Sequence, residues 1–193
     1  YADPKLLIHR IEEIIGKQEE TFHKALDDII DALEEHNIRF IDETEMTEEQ
    51  EAFAQHYFKN TVRPNLVPLM LTSDLKLELT DEASYLAIKL YDNGVEQKAK
   101  YALIEIPSPL IPRFLVIPGN EKVVMFLDDI IRMGMKQIFK IFDFDNIESY
   151  AIKLTRDAEL DFEEDLDDSL IEKLEKSVHK RKKAEPVRFV HAK

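Results

Sequence analysis

An alternation of apolar and polar residues in the last third of the chain constrains the fold more than any other feature. Its apolar members recur at every second position, at Tyr150, Ile152 and Leu154. Such a period of two predicts a half-buried strand with these side chains toward the core. Arg156 continues the same side, and a guanidinium there needs an acidic or phosphate partner because an unpaired buried charge is costly to desolvate. A neighbouring carboxylate is the more ordinary partner.

A hairpin signal lies upstream of this strand. Residues 85–91 form one strand-like run and residues 98–106 another, and Asp92-Asn-Gly94 between them is a strong turn signal. Prolines end the second run, and residues 113–117 make a further strand. The apolar, β-branched content favours a sheet covered on one face by helices. We therefore predict an α+β fold with an antiparallel sheet of about five strands, helices mainly on one face and a long N-terminal amphipathic helix.

The N-terminal helix is predicted from its cap and its periodicity. Asp3-Pro4 provides an N-cap and a proline at the first helical position. Apolar residues then recur at spacings of three and four from Ile8 to Ala32, which predicts a helix to about Glu35 and about 45 Å long. Two interpretations remain open. The helix packs against another helix or subunit, or it lies along its own core.

A second helix begins at a capping box formed by Thr47 and Gln50 and ends at Pro64. Arg63, beside that proline, has two interpretations, a contact to a phosphate group or a solvated helix end. An apolar stripe within residues 124–139 predicts a third helix, and residues 166–178 predict a last one.

Two charged segments border the last helix. Eight acidic residues lie within positions 157–168, but they lack the glycine and ligand spacing of a calcium loop, so we expect no metal there. Acids before a helix and bases after it suit the helix dipole, which also accounts for the basic residues of Lys176 to Lys183. Binding of a polyanion by this basic cluster is the alternative.

The overall charge and residue usage exclude several classes of function. With 26 basic and 40 acidic residues the formal net charge is −14, which argues against binding of nucleic acid through a general basic surface. The absence of cysteine excludes disulfides and thiolate metal sites. No apolar run approaches the roughly 20 residues of a transmembrane helix. The six histidines and four glycines are too dispersed for a metal, nucleophile or phosphate-loop motif, so no catalytic residue is predicted.

An ordered series of motifs resembles the head domain of bacterial polyphosphate kinases. The motifs occur in the family's order and spacing and cover nearly the whole chain. They are Tyr57-Phe58, Arg63-Pro-Asn-Leu-Val-Pro68, Tyr101-Ala-Leu-Ile-Glu-Ile-Pro107, Pro112-Arg-Phe114, Thr155-Arg-Asp-Ala-Glu159 and Pro186-Val-Arg-Phe-Val190.

The resemblance implies a cytoplasmic enzyme, either free or associated with a membrane. Such an enzyme transfers the γ-phosphate of ATP reversibly to polyphosphate through a phosphohistidine and uses magnesium. It also implies that ATP, magnesium and the nucleophile belong to other domains. This chain would then be a fragment that holds no cofactor, contributes to a homodimer and walls part of a tunnel. Its family-motif arginines, as candidates for phosphate binding or an interface, are Arg113, Arg156 and Arg188.

The predicted division places the long helix in a helical segment of residues 1–62 and the α+β head domain in residues 63–193, the two packing as one compact unit. The competing hypothesis is a standalone acidic protein-interaction module that docks a partner through its first helix and has no phosphate chemistry.

Overall fold

A computed structural model describes residues 3–75, 79–80, 83–93, 99–119, 121–156 and 186–192. Within these ranges the regular elements follow in the order α1 Pro4–Glu35, β1 Ile38–Phe40, α2 Glu48–Tyr57, β2 Pro68–Leu71, β3 Ser84–Tyr91, β4 Lys100–Glu105, β5 Phe114–Ile117, β6 Lys122–Phe126, α3 Leu127–Met133, α4 Met135–Ile138, β7 Asn146–Arg156 and β8 Pro186–Ala192.

The chain forms two compact units. The first comprises residues 1–53 and 114–126, and the second comprises residues 54–113 and 127–193. The division of domains at residues 62 and 63 stays a prediction. The predicted helix over residues 166–178, the acidic segment and the basic cluster lie outside the described residues.

Helix α1 of the first unit has the predicted bounds. Oδ1 of the N-cap Asp3 accepts a hydrogen bond from the backbone of Lys5 at 3.0 Å, and Pro4 occupies the first turn. The chain leaves the helix through Asn37, whose φ of 58° is left-handed and suits asparagine. Although the helix has 32 residues, none of them is buried. No helix among the described residues has both the length and the apolar content to span a bilayer.

The first unit also contains a three-stranded sheet that the sequence did not predict. β6 is its central strand, parallel to β1 and antiparallel to β5. The rings of Phe40, Phe114 and Phe126 pack together, with centroids 5.2 to 6.2 Å apart.

The helix predicted for residues 124–139 was therefore wrong at its start. Residues 122–126 form strand β6, and the helical chain begins only at Leu127. A short apolar run rich in valine fits a buried strand as well as a helical stripe. The pairing with β1, more than eighty positions earlier in the chain, decides between the two.

The second unit contains the predicted antiparallel sheet of five strands, in the order β2-β4-β3-β7-β8. The predicted hairpin is formed by β3 and β4, which pair Leu86 with Ile104 and Ile88 with Ala102. β7 lies on the other side of β3 and pairs Ser149 with Ile88. This sheet confirms the predicted fold class.

The two faces of this sheet differ in what covers them. Nε of Arg132 in α3 donates a hydrogen bond to Oγ of Ser149 at 3.2 Å, so α3 lies on the face that carries the buried Ile88. Tyr150 is on the opposite face and is 37% exposed. The predicted core orientation of Tyr150 was therefore wrong, because alternation defines two faces without showing which one meets the helices.

Candidate functional site

The Arg113 side chain has a carboxylate partner. Its Nη2 donates to Oδ2 of Asp128 at 3.0 Å, and Asp128 lies in the first turn of α3. The backbone of the same residue also fixes this helix, since the carbonyl of Arg113 accepts from the amide of Leu127 at 2.8 Å. Arg113 is half-buried, whereas Asp128 is buried. Arg113 thus has a carboxylate partner within the chain, whereas the carboxylate partner expected for Arg156 stays a prediction.

Asp128 belongs to a polar network at the start of α3. The neighbouring Asp129, also buried, contacts Nη1 of Arg132 through Oδ1 at 2.5 Å, and Arg132 continues the network to Ser149 of β7. Carboxylates in a first helical turn are stabilised by the helix dipole. Oδ1 of Asp128 is nevertheless buried and has no hydrogen-bond partner among the described residues. The sequence analysis did not predict this network. The two adjacent aspartates, Asp128 and Asp129, within a predicted helix were the signal from which it could have been inferred.

Arg156 and Arg188 lie at one end of the β7–β8 pair. Arg188 pairs with Thr155, the residue before Arg156, and Arg156 pairs with Pro186. The register shifts between Thr155 and Arg156, so the ladder is irregular at this point. The fold therefore places the backbones of these two motif arginines next to each other.

Several other chain segments meet the same end of the sheet. β7 pairs Lys153 with Ser84 at the start of β3, so the end of β7 and the start of β3 coincide. The amide of Ile106, just past β4, donates to the carbonyl of Ser84 at 2.9 Å. From there the chain runs through residues 107–112 to Arg113. At this end of the sheet β4 and β7 end, and β3 and β8 begin. We call this end of the sheet the arginine edge.

A separate polar cluster occupies the face opposite α3. The hydroxyl of Tyr91 donates to Oε1 of Glu148 at 2.7 Å, and Tyr150 donates to Oε2 at 3.4 Å. Lys89 lies 3.7 Å from the same carboxylate. The hydrogen bond from Tyr91, followed by the charge of Lys89, lowers the pKa of Glu148 against the opposing effect of desolvation. This carboxylate is held in its ionised form, which does not suit a general acid.

Metal ligation finds no support in the described part of the chain. No group of three or more histidine, aspartate or glutamate side chains there could hold a metal ion. His56 is engaged with Asn60, whose Nδ2 is 3.1 Å from Nε2, and His191 pairs with Ile152 in the β7–β8 ladder. His179 lies outside the described residues.

A shallow depression in the first unit is a poor match for phosphate. It has a volume of about 240 Å³ and its charged lining consists of Arg39 with Glu34 and Glu121. Two carboxylates against one guanidinium would repel an anion.

Comparison with known proteins decides the family. Residues 49–193 match the family model described as the polyphosphate kinase middle domain. The chain belongs to the polyphosphate kinase family. The motif resemblance is thus confirmed, and the match includes Arg113, Arg156 and Arg188.

Individual polyphosphate kinases agree with this assignment. The chain is 34% identical to polyphosphate kinase of Vibrio vulnificus over 194 residues, which cover 97% of this chain and 27% of the relative. It is 33% identical to that of Escherichia coli K12 over 192 residues, covering 96% and 28%. The crystal structure of polyphosphate kinase from Porphyromonas gingivalis matches with a TM-score of 0.68 and 27% identity, over 75% of this chain and 25% of that one. The chain thus spans little more than a quarter of the length of these relatives.

Proposed function

We propose that this chain is the non-catalytic head domain of a cytoplasmic polyphosphate kinase. The longer enzyme would transfer the γ-phosphate of ATP reversibly to polyphosphate through a phosphohistidine, with magnesium. Family membership supports this activity, and the chain's 27% share of its relatives' length supports a fragment. The nucleophile and the nucleotide site would belong to other parts of the polypeptide.

The observation that carries a phosphate-related role is the arginine edge. Arg156 and Arg188 are adjacent in the β7–β8 ladder, and Arg113 follows the segment that leaves β4 at the same sheet end. On a chain with a net charge of −14, a polyanion must find a local concentration of cations. Arginine suits this task because its planar fork pairs with phosphate oxygens in a bidentate manner. The head domain would thus wall part of the path of the polyphosphate chain.

The second part of the proposed role is to hold two protomers together, and α1 supports it. Its apolar stripe is uncovered, with Leu7 53%, Phe22 65% and Ile29 56% exposed. An extended apolar surface of this kind is typical of an interface with another helix or subunit. The same observation favours the second candidate function, a standalone interaction module without phosphate chemistry.

Titration of the purified chain with medium-chain polyphosphate separates the two candidates. We expect saturable binding that is lost in the double variant Arg156→Ala/Arg188→Ala. The matched control is Arg10→Ala/Arg39→Ala, which makes the same change in net charge in the first unit. Equal losses in both variants would show that only total charge matters. No binding by the unaltered chain at low salt would contradict the phosphate-path role and favour the interaction module.

A second assay tests where the chemistry lies. The chain alone, given ATP and magnesium, should make no polyphosphate above the blank. Turnover by the chain alone would show that the nucleophile lies within these 193 residues and would contradict the proposal.

A further inference from the structure

Helix α1 carries two neighbouring rows of side chains that each repeat every seven residues. The rows are Ile8, Ile15, Phe22 and Ile29, and Ile11, Gln18, Ala25 and Ala32. All of these residues except Gln18 are apolar, and all except the half-buried Ile15 are exposed. Two apolar rows with a spacing of seven are typical of a helix that pairs with another helix along its length.

The sheet of the first unit is too short to cover these rows. α1 has 32 residues and is therefore about 48 Å long. The longest strand of the three-stranded sheet, β6, has five residues and extends about 17 Å. Only His36 and Asn37 separate α1 from β1, so the chain leaves the helix directly for the sheet. A partner that covers α1 must come from outside the described part of this chain.

The length of α1 also limits what that partner can be. A helix face about 48 Å long and about 10 Å wide buries roughly 500 Å² on each partner, or about 1,000 Å² in total. This total reaches the lower limit for a specific interface only when the two surfaces pair along their full length. A second copy of the chain provides a helix of the required length with the same apolar rows.

The charges of α1 are divided unevenly between its two halves. Residues 4–19 contain three basic and three acidic residues, for a net charge of 0, whereas residues 20–35 contain one basic and six acidic residues, for a net charge of −5. Two parallel copies would place the acidic halves beside each other. Antiparallel copies place each acidic half beside the half that holds Lys5, Arg10 and Lys17, which is electrostatically more favourable.

We propose that α1 pairs with α1 of a second copy of this chain, antiparallel and along the two apolar rows. The inference rests on the proposed function, because it names the partner of the helix that would hold two protomers together. The same surface is used by both copies, so the contact closes on itself as a two-fold dimer.

Sedimentation equilibrium over a range of chain concentrations tests the surface. The unaltered chain should show a monomer–dimer equilibrium at micromolar concentrations, and Phe22→Gln/Ile29→Gln should weaken it at least about tenfold, because two apolar contacts per helix are lost. The matched control is Glu13→Gln/Lys24→Gln, which keeps the net charge and changes residues two positions from the first row, on the other side of the helix. The control should change the dissociation constant less than twofold.

Cross-linking tests the orientation, and the absence of cysteine from the chain makes single-cysteine variants unambiguous. Gln18→Cys, near the middle of α1, should form a dimer with itself in the presence of a bismaleimide cross-linker. Ile11→Cys and Ile29→Cys should each fail to do so alone but should cross-link when the two variants are mixed, because antiparallel pairing brings these two positions together. A parallel pair would cross-link each variant with itself.

The outcomes separate this inference from the proposed function. A dimer that Phe22→Gln/Ile29→Gln leaves intact would overturn the pairing through α1 and would leave a dimeric enzyme possible through another surface. Self-cross-linking of both Ile11→Cys and Ile29→Cys would overturn the antiparallel arrangement. A chain that stays monomeric at every concentration would overturn the inference and the role of α1 in holding protomers together. Circular dichroism checks that the helix content is kept, as expected for a helix without buried residues; if it falls, cross-linking alone decides.

Discussion

Arg113 and Asp128 form an ion pair of 3.0 Å in which the arginine side chain is 37% exposed and the aspartate side chain only 9%. The two partners therefore depend on each other unequally. Without Arg113, a buried carboxylate whose Oδ1 already has no hydrogen-bond partner would lose the partner of Oδ2 as well. Without Asp128, water can hydrate much of the guanidinium.

This asymmetry predicts the order of two single variants. Arg113→Ala should lower the free energy of unfolding by about 1–3 kcal/mol, and Asp128→Ala should lower it by less. Urea denaturation monitored by circular dichroism measures both. The double variant should be more stable than Arg113→Ala alone, because it removes the orphaned carboxylate. Additive losses in the double variant would contradict this account.

Gly134 is predicted to tolerate no side chain. It lies between α3 and α4, where an added Cβ would overlap the ring of the fully buried Phe58. Gly134→Ala should therefore lower the free energy of unfolding by about 1–3 kcal/mol, the usual effect of overpacking. Differential scanning calorimetry gives the shift in Tm.

The matched control for Gly134 is Gly16→Ala in α1. Nothing lies within 4 Å of a Cβ added at Gly16, so only helix propensity changes. Alanine should then stabilise the helix by about 1 kcal/mol. A loss of stability at Gly16, or none at Gly134, would contradict the packing described for these two positions.

The hydroxyl of Tyr91 is predicted to control the titration of Glu148. The hydrogen bond from Tyr91 is the largest cause of the lowered pKa of Glu148. A lowered folded-state pKa stabilises the fold above the pKa of the unfolded chain, and this stabilisation is lost as pH falls through the folded-state value. Tyr91→Phe should raise the pKa of Glu148 toward its ordinary value, and so reduce the stabilisation that Glu148 contributes at neutral pH and that is lost on acidification.

Carboxyl-carbon NMR titration of Glu148 measures this effect directly. Tyr101→Phe is the control, because Tyr101 is exposed and its hydroxyl makes no hydrogen bond with the described residues. An unchanged Glu148 titration in Tyr91→Phe would show that Lys89 and Tyr150 alone hold the carboxylate.

Local patterns in the sequence were sufficient for much of the fold. The bounds of α1 followed from the Asp3 cap and its periodicity, and the β3–β4 hairpin followed from a turn signal between two alternating runs. The three-stranded sheet could not be predicted in this way. Its central strand β6 pairs with β1 across more than eighty positions, and no local signal encodes a pairing of that range.

The candidate site shows a similar limit. The motif resemblance selected Arg113, Arg156 and Arg188, but it could not show that Arg113 already has a partner in Asp128. Nor could it choose between the two interpretations of Arg63, because the choice depends on which carboxylates the fold brings within reach. Ion pairing is a tertiary property, and the same residue types serve both paired and free positions.

The aromatic cluster of the three-stranded sheet provides the last prediction. Phe126 lies 5.2 Å from Phe114 and 5.5 Å from Phe40 by ring centroid, so its ring contacts residues of both flanking strands. Phe126→Ala should weaken the first unit by about 1–2 kcal/mol, less than a fully buried phenylalanine would, because Phe126 is only half-buried.

Hydrogen exchange is the suitable measurement because it reports the local opening of each unit separately. The amide of Ile41, which donates to the carbonyl of Val124 at 3.1 Å, should lose protection in Phe126→Ala, whereas amides of the β3–β7 ladder should keep theirs. Phe22→Ala removes an exposed ring from α1 and should leave both sets of amides unchanged. Equal loss of protection at Ile41 and in β3 would show that the first unit does not open by itself.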